Sequence, residues 1–423
     1  MDSNHLSPLR KGVVGVQFLF VAFGATVLVP LLVGLDPSTA LFTAGIGTLL
    51  FHLVTKGKVP IFLGSSFAFI APIIKATELY GLAGTLSGMV GVAMVYFVMS
   101  ALVKWQGIRL IERLFPPVVI GPVIILIGLS LAGTGVNMAK ENWTLALLSL
   151  FTAVIVSIRA KGLLKLIPIF CGIIVGYIAA FVMSLVLPTT GITADGAEYT
   201  KAWVLNWDKV AQASWISIPE FLPVKPVFDA RAIAPILIMF IVTAVETVGD
   251  ISGVIEGGMN REATDKELSG GVICDGIGSS FAALFGILPN TSFSQNVGLV
   301  TMTKVVNRTA LATGAVFLIL CGLVPKLGAI VSIMPQAVLG GAAVMMFSSI
   351  VISGIQLVTK EKMTAKNLTI VSVALGVGYG MGANTAILAQ TPQAIQLIFG
   401  GSGIVPAAMV AILLNIVLPN DKK

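Results

Sequence analysis

Three acidic residues lie inside apolar stretches of the sequence, where a charged side chain is costly. They are Glu246, Asp250 and Asp275, and no lysine or arginine lies deep in an apolar stretch to pair with them. A charged side chain at the centre of a bilayer costs roughly 2.5–3.5 kcal/mol on insertion scales, and such residues usually mark an ion or substrate pathway. We therefore predict that these acids belong to a functional site.

Glu246 and Asp250 are four residues apart, so a helix would place them on one face together with Thr243 and Thr247. Two carboxyl groups one helical turn apart are expected to share a proton, because burial and a like-charged neighbour both oppose a second negative charge. Such a pair would bind a proton without a metal ion. The alternative, which the residues alone leave open for each acid, is a polar seam between packed helices.

The composition excludes several classes of protein. Of the 423 residues, 56% are hydrophobic and 11% are charged, against about 25% charged residues in a soluble domain. This excludes a soluble enzyme, a disordered chain and a nucleic-acid-binding domain. The chain has two histidines, no GxxxxGK[ST] loop and three scattered cysteines, so we expect neither catalysis by a nucleophile and base nor ATP hydrolysis. We predict that it is not an enzyme and that it needs no metal and no cofactor.

The apolar residues form fourteen blocks between positions 12 and 418, and a spanning helix needs about 20 such residues. With the N-terminus inside, alternating loops place 19 of the 26 lysines and arginines in the cytoplasm and 7 outside. This asymmetry obeys the positive-inside rule. It predicts an all-α multi-pass protein of the plasma (inner) membrane, with both termini cytoplasmic.

The two halves of the chain resemble each other. Residues 44–48 resemble 275–279, and the proline-led stretches 60–69 and 289–295 also correspond, as do 116–121 and 335–340. Equivalent blocks are seven apart, so the second half would be inverted, which is typical of secondary transporters. Blocks three and ten are short, begin at proline and carry small polar residues. We predict that each is an extended strand followed by a half-helix, against the alternative of two ordinary short helices.

The stretch from Gln295 through Asn296 and Gly298 to Thr303 and Lys304 resembles the signature of the nucleobase–ascorbate transporter family, also called nucleobase:cation symporter-2. Segments 23–26, 64–67 and 246–250 support the resemblance, which covers about residues 12 to 380. The family consists of importers that couple a nucleobase to protons or sodium and are often dimers. The expected partners are therefore a nucleobase, the lipid bilayer and a second copy of the chain.

The resemblance implies fourteen transmembrane segments in a 7+7 inverted repeat, with two short strands in segments 3 and 10 that meet at the substrate site. It also implies a core domain that moves against a gate domain. The core would comprise residues 12–103 and 232–330, and the gate 104–187 and 331–418. Residues 188–231 would form the extracellular connection.

The resemblance also assigns site residues. Glu246 matches the substrate-binding glutamate, and Gln295 matches the second side chain that reads the base. Phe67, Ser294 and Ala25 match positions that line the pocket.

A second group of matches concerns coupling rather than substrate contact. Besides Glu246, it comprises Asp250, Asp275 and Asn296, which match polar positions needed for coupling and geometry. One departure is Phe18, which stands where the family commonly has histidine. That histidine supports polar contacts between helices, so its loss puts the affinity and part of the network in question.

The substrate expected from these residues is an oxidised purine, xanthine first, imported by proton symport with alternating access. Gln295 is typical of the xanthine and urate branch of the family, whereas the first half of the chain looks more like uracil permeases. A uracil:proton symporter is therefore the alternative, and an anion transporter of similar fold is a weaker one. Sodium in place of protons stays open.

The charge asymmetry predicts that Lys104, Lys161 and Lys362 face the cytoplasm and that segment 188–231 faces outward. We would test it with single cysteines, Lys362→Cys and the control Lys209→Cys, in a chain whose native cysteines are replaced by serine. An impermeant maleimide added to intact cells should label only the Lys209→Cys variant. Labelling of Lys362→Cys from outside would rule out the fourteen-span arrangement.

Overall fold

The computed structural model describes residues 8–419, except 92, 193–194, 196–197, 226, 228–229, 392–394, 397–398 and 400–402. Most of the described chain is helical. The helices of the first half are α1 Pro8–Val33, α2 Pro37–Val54, α3 Ile70–Gly91, α4 Ala93–Gln106, α5 Ile108–Leu114, α6 Pro117–Ala139, α7 Trp143–Arg159 and α8 Pro168–Val186. Those of the second half are α9 Trp207–Gln212, α10 Ala230–Met259, α11 Asp265–Leu284, α12 Ser294–Thr303, α13 Arg308–Gly322, α14 Pro325–Ser332, α15 Gln336–Val358, α16 Ala365–Ala383 and α17 Ile404–Val417.

Among the described residues, six helical stretches are long and apolar enough to cross a membrane. They are 14–33, 37–54, 80–106, 117–139, 168–186 and 336–358, and the pair α13 and α14, bent by 78°, would make a seventh. The helices α10 and α11 are absent from this set and carry several charged residues each. The structure therefore supports a helical membrane protein, whereas the count of fourteen segments stays a prediction.

Contacts divide the chain into two compact units. The first comprises the chain up to Ile127, Ile218–Leu323 and the part from Ile350 onward, and the second comprises Gly128–Ser217 and Val324–Ser349. Each unit has its own apolar packing: α6, α16 and α17 meet in the first, and α7, α8 and α15 meet in the second. The predicted division into a core and a gate domain stays a prediction.

The segment predicted as an extracellular connection contains an antiparallel hairpin, β2 Thr190–Ile192 with β3 Glu198–Thr200, and the short helix α9. Lys326 at the start of α14 donates a hydrogen bond to the carbonyl of Val210 at 2.9 Å. This contact joins α9 to α14 within the second unit. The side of the membrane on which the segment lies stays a prediction.

The two strands predicted in segments 3 and 10 are confirmed. They are β1 Leu63–Ser65 and β4 Asn290–Ser292, which pair antiparallel with Gly64 opposite Thr291. Each follows a proline, which lacks a backbone donor and disfavours helix before it. Both strands are buried throughout. A 3-10 turn, Phe67–Phe69, and α3 follow β1, and α12 follows β4.

A kink separates the helix after β1 from the next apolar stretch. Within α3, Gly81 leaves the helical conformation with φ 69° and ψ 172°, and the candidate span 80–106 begins there. A positive φ of this kind is cheap only for glycine. The bend therefore takes the place of a loop between the two segments.

Candidate functional site

The long helix α10 presents Glu246 and Asp250 on one face, as their spacing predicts. Asp250 is buried and Glu246 is half-buried. The threonines of this face are partly used within the protein, since Thr243 donates a hydrogen bond to the Met239 carbonyl at 3.0 Å. The two acids contact residues of β4 and α12, which pack against α10.

Ser294, the first residue of α12, lies between the two carboxyl groups. Its Oγ is 3.3 Å from Oε1 of Glu246 and 3.2 Å from Oδ2 of Asp250. A serine hydroxyl has one hydrogen to donate and lone pairs to accept. It can serve both acids at once only if one of them is protonated and donates to it. The geometry therefore links the two carboxyl groups through one hydroxyl.

The strand β4 connects this pair to the third acid. The Ser292 hydroxyl donates to Oδ2 of Asp250 at 2.9 Å, and the Ser292 backbone N–H donates to Oδ2 of Asp275 at 2.7 Å. The Thr247 hydroxyl donates to the same oxygen of Asp275 at 2.6 Å. One residue of the strand therefore contacts both aspartates.

Asp275 lies behind the strand. It is completely buried on α11, and its Oδ1 has no hydrogen-bond partner among the described residues. Its two hydrogen bonds come from protein groups, namely the Thr247 hydroxyl and the backbone N–H of Ser292. The structure thus places Asp275 close to the acid pair as a support of β4.

The remaining predicted site residues occupy different places. Gln295 is exposed beside Ser294, and Phe67 is half-buried after β1. Asn296 is buried, and its amide Nδ2 donates to the Pro60 carbonyl at 3.3 Å. Asn296 therefore joins α12 to the chain entering β1. Ala25 lies in α1, outside the residues whose side chains the structure describes.

Two residues of the site were not assigned a role from the sequence. Ser292 belongs to the repeated polar stretch of block ten. That stretch indicates a strand, but it does not indicate which residues the Ser292 side chain contacts. Tyr96 on α4 is completely buried, and its hydroxyl donates to Thr243 Oγ at 3.1 Å. A lone tyrosine in an apolar helix gives no sequence signal for such a contact.

The arrangement is rich in hydrogen-bond acceptors, and Gln295, which follows Ser294 in α12, is exposed. Carboxyl groups accept from N–H donors, and a carboxamide both donates and accepts. Such a set suits a planar polar molecule with N–H and carbonyl groups on its edge. The absence of a metal or cofactor stays a prediction.

Replacing Asp275 should destabilise the protein through β4. Asp275→Ala leaves the Ser292 N–H without its acceptor, at a cost of about 1–3 kcal/mol for an unpaired buried group, whereas the Thr247 hydroxyl keeps the Thr243 carbonyl at 2.9 Å. We expect a lower melting temperature in detergent, whereas Asp275→Asn, which keeps an acceptor oxygen, should lose less. The exposed Asp208→Ala serves as the control. Equal melting temperatures for Asp275→Ala and the wild type would show that this acid does not hold the strand.

Comparisons with known proteins show the family. A model described as "Permease family" matches residues 11–387. The chain is 39% identical to a "Probable uracil permease" of Pasteurella multocida, over 100% of this chain and 96% of that protein. It is 36% identical to the "Uracil permease" of Bacillus caldolyticus, over 96% of this chain and 91% of that protein.

A solved structure, the transmembrane domain of a cyanobacterium bicarbonate transporter, matches with a TM-score of 0.59 and 16% identity. The match covers 97% of this chain and 98% of that one, and at this identity it shows the fold alone. Family membership follows from the other matches, which cover most of the chain. This protein belongs to the nucleobase:cation symporter-2 family of membrane permeases.

Proposed function

We propose that this protein imports uracil across the plasma (inner) membrane by proton symport with alternating access. The observation that carries the proposal is the pair Glu246 and Asp250, joined by the Ser294 hydroxyl. Gln295, the next residue of α12, is exposed. In this proposal Glu246 and Gln295 bind the base. Asp250 carries the proton, which reaches Glu246 through Ser294.

Uracil replaces xanthine as the first substrate. A cis-amide edge, with one N–H beside one carbonyl, pairs with a carboxamide through two hydrogen bonds. Uracil and the six-membered ring of xanthine both have this edge, so Gln295 does not separate them. Both curated relatives described above carry the name uracil permease, and this supports the smaller base.

In the proposed coupling, binding of the base depends on how many protons the acid pair carries. A base that donates a ring N–H to Glu246 needs an acceptor there. Asp250 accepts from Ser292, but the single hydrogen of the Ser294 hydroxyl cannot serve both acids, so one of its two contacts lacks a donor when both acids are ionised. A proton on Asp250 supplies that donor, so binding of base and proton favour each other. Sodium coupling is the alternative, and the dependence of uptake on pH and on sodium separates the two.

We further propose the fourteen-segment inverted repeat, with both termini in the cytoplasm and the functional unit a homodimer. The antiparallel pairing of β1 with β4 supports the repeat, because two equivalent strands related by a two-fold axis in the membrane run in opposite directions. Segments 3 and 10 begin as strands and therefore do not appear as long apolar helices, and α7 and α17 are apolar but shorter than a full span. These four segments are part of the difference between fourteen and the observed number. The core and gate domains of this proposal keep the ranges given from the sequence.

An anion transporter is the second candidate, because the bicarbonate transporter domain has a similar fold. The side chains of the site disfavour it, since Glu246 and Asp250 would repel an anion in a medium of low dielectric constant. No lysine or arginine takes part in the described hydrogen bonds of this pair. We therefore place uracil before any anion.

Competition between bases tests the substrate. Uptake of radiolabelled uracil into proteoliposomes should be inhibited by unlabelled uracil at a concentration at least tenfold lower than by xanthine, a difference of about 1.4 kcal/mol. Bicarbonate serves as the control for the anion candidate and should not compete. Inhibition by xanthine at a lower concentration than by uracil would contradict the proposal and favour xanthine as the substrate.

Replacing Glu246 tests the coupling. Glu246→Gln keeps the shape of the side chain but removes its titration and one acceptor, so uracil uptake should fall to background. The exposed Glu220→Gln should transport like the wild type. The measurement is accumulation against an imposed pH gradient, with and without sodium. Accumulation by Glu246→Gln with unchanged pH dependence would contradict the assignment.

A further inference from the structure

A cavity is formed by the turn after α2, the end of α10, the link after α12 and the starts of α11 and α13. Its volume is about 760 Å³. Its lining residues are Gly57, Lys58, Met259, Arg261, Glu267, Val306, Asn307, Arg308 and Thr309. All of them belong to the first compact unit. The transport mechanism proposed above uses none of these residues.

The charge of this basic cavity is unbalanced. Glu267 is the acid among its lining residues, and it is already paired with Arg261 through two hydrogen bonds of 2.6 and 2.9 Å. Arg261 and the cap at Thr264 lower the pKa of the Glu267 carboxyl to about 2. The pair is therefore ionised and neutral overall at physiological pH. Among the lining residues that the structure describes, Lys58 and Arg308 are left with two uncompensated positive charges.

A nearby acid does not supply the missing charge. Asp265, at the start of α11, accepts a hydrogen bond from the backbone N–H of Ile108 at 3.1 Å. Its carboxylate is thus engaged with α5 and does not line the cavity. The excess positive charge belongs to Lys58 and Arg308.

The position of Arg308 is built into the backbone. Gly57 has φ +66°, and a Cβ placed there would lie 2.5 Å from Cδ of Arg308. Only glycine leaves room for the arginine stem and adopts this φ without strain. The arginine therefore lies against the turn that carries Lys58.

The backbone N–H groups at the start of α13, beside this cavity, already have hydrogen-bond acceptors. The Asn307 side chain accepts from the backbone N–H groups of Thr309 and Ala310 at 2.9 and 3.3 Å. These groups are therefore occupied. The Thr309 hydroxyl also donates to the Asn307 side chain, so we assign an anion in the cavity to the side chains of Lys58 and Arg308.

We propose that this cavity binds a phosphate monoester. Its dianion matches the two uncompensated charges of Lys58 and Arg308, and a guanidinium binds phosphate oxygens through two parallel hydrogen bonds. A carboxylate or another monoanion would leave one charge unbalanced. The volume leaves room for the organic group that carries the phosphate.

Two sources offer this chemistry: a soluble sugar phosphate and the headgroup of phosphatidic acid. A ligand bound there contacts the end of α10 and the link after α12, the two helices that carry Glu246, Asp250 and Ser294. The site is therefore distinct from the acid pair and connected to it through two helices.

Equilibrium binding at low salt tests the proposal on the full-length protein. We would measure radiolabelled ribose 5-phosphate, which has no base to occupy the transport site, on protein in detergent. In parallel, native mass spectrometry would follow phosphatidic acid on protein released from nanodiscs of phosphatidylcholine with phosphatidic acid. Lys58→Gln and Arg308→Gln should each weaken binding at least tenfold, whereas the exposed controls Lys362→Gln and Arg159→Gln should not change it.

The two probes identify the source. Ribose 5-phosphate binding that is lost in the variants supports a soluble ester, and retention of phosphatidic acid that is lost in the variants supports a lipid. Uracil uptake by each variant checks that the protein is folded. Failure of both probes to bind the wild type, or equal binding to wild type and variants, would overturn the proposal and leave the transport function untouched.

Discussion

The site depends on one constraint: the backbone N–H and carbonyl groups of an extended strand inside the membrane need hydrogen-bond partners. A strand without partners would leave N–H and carbonyl groups unpaired in a medium that offers no water. Here β1 and β4 pair with each other, and the backbone N–H of Leu63 donates to Thr48 Oγ at 2.9 Å. At the other strand, the Asn290 carbonyl accepts from the Ser279 hydroxyl at 2.8 Å. Thr48 on α2 and Ser279 on α11 are thus explained by the strands that they hold.

The same constraint explains why an acid can have a structural task at the centre of a functional site. A carboxylate is a stronger acceptor of a backbone N–H than a neutral group, and Asp275 uses one oxygen for Ser292 and Thr247. The Ser292 hydroxyl then remains available for Asp250. Fixing the strand therefore also fixes the acid that we propose to carry the proton.

The sequence was sufficient for features that depend on local rules. The spacing of Glu246 and Asp250 specified a shared helix face, and the prolines before blocks three and ten specified strands. It was insufficient for the partners of these residues, since Ser294 is 48 positions from Glu246 and no local rule brings them together. The preference for xanthine also rested on Gln295, which reads an edge common to both bases. Discrimination of ring size depends on the walls of the pocket, which the signature does not report.

The close packing of α10 against α12 bears on how the proton link could survive a transport cycle. A Cβ at Gly257 would lie 2.1 Å from Thr301 Oγ, and one at Gly253 would lie 3.0 Å from a methyl group of Val297. Small residues four apart let two membrane helices approach in this way, and Lys304 at the end of α12 donates to the Gly257 carbonyl. Because the two helices are joined along their length, Ser294 keeps its position between the carboxyl groups of α10 when they move. In the proposed alternating-access cycle, this packing favours motion of α10 and α12 as one body, which would preserve the distances within the acid pair.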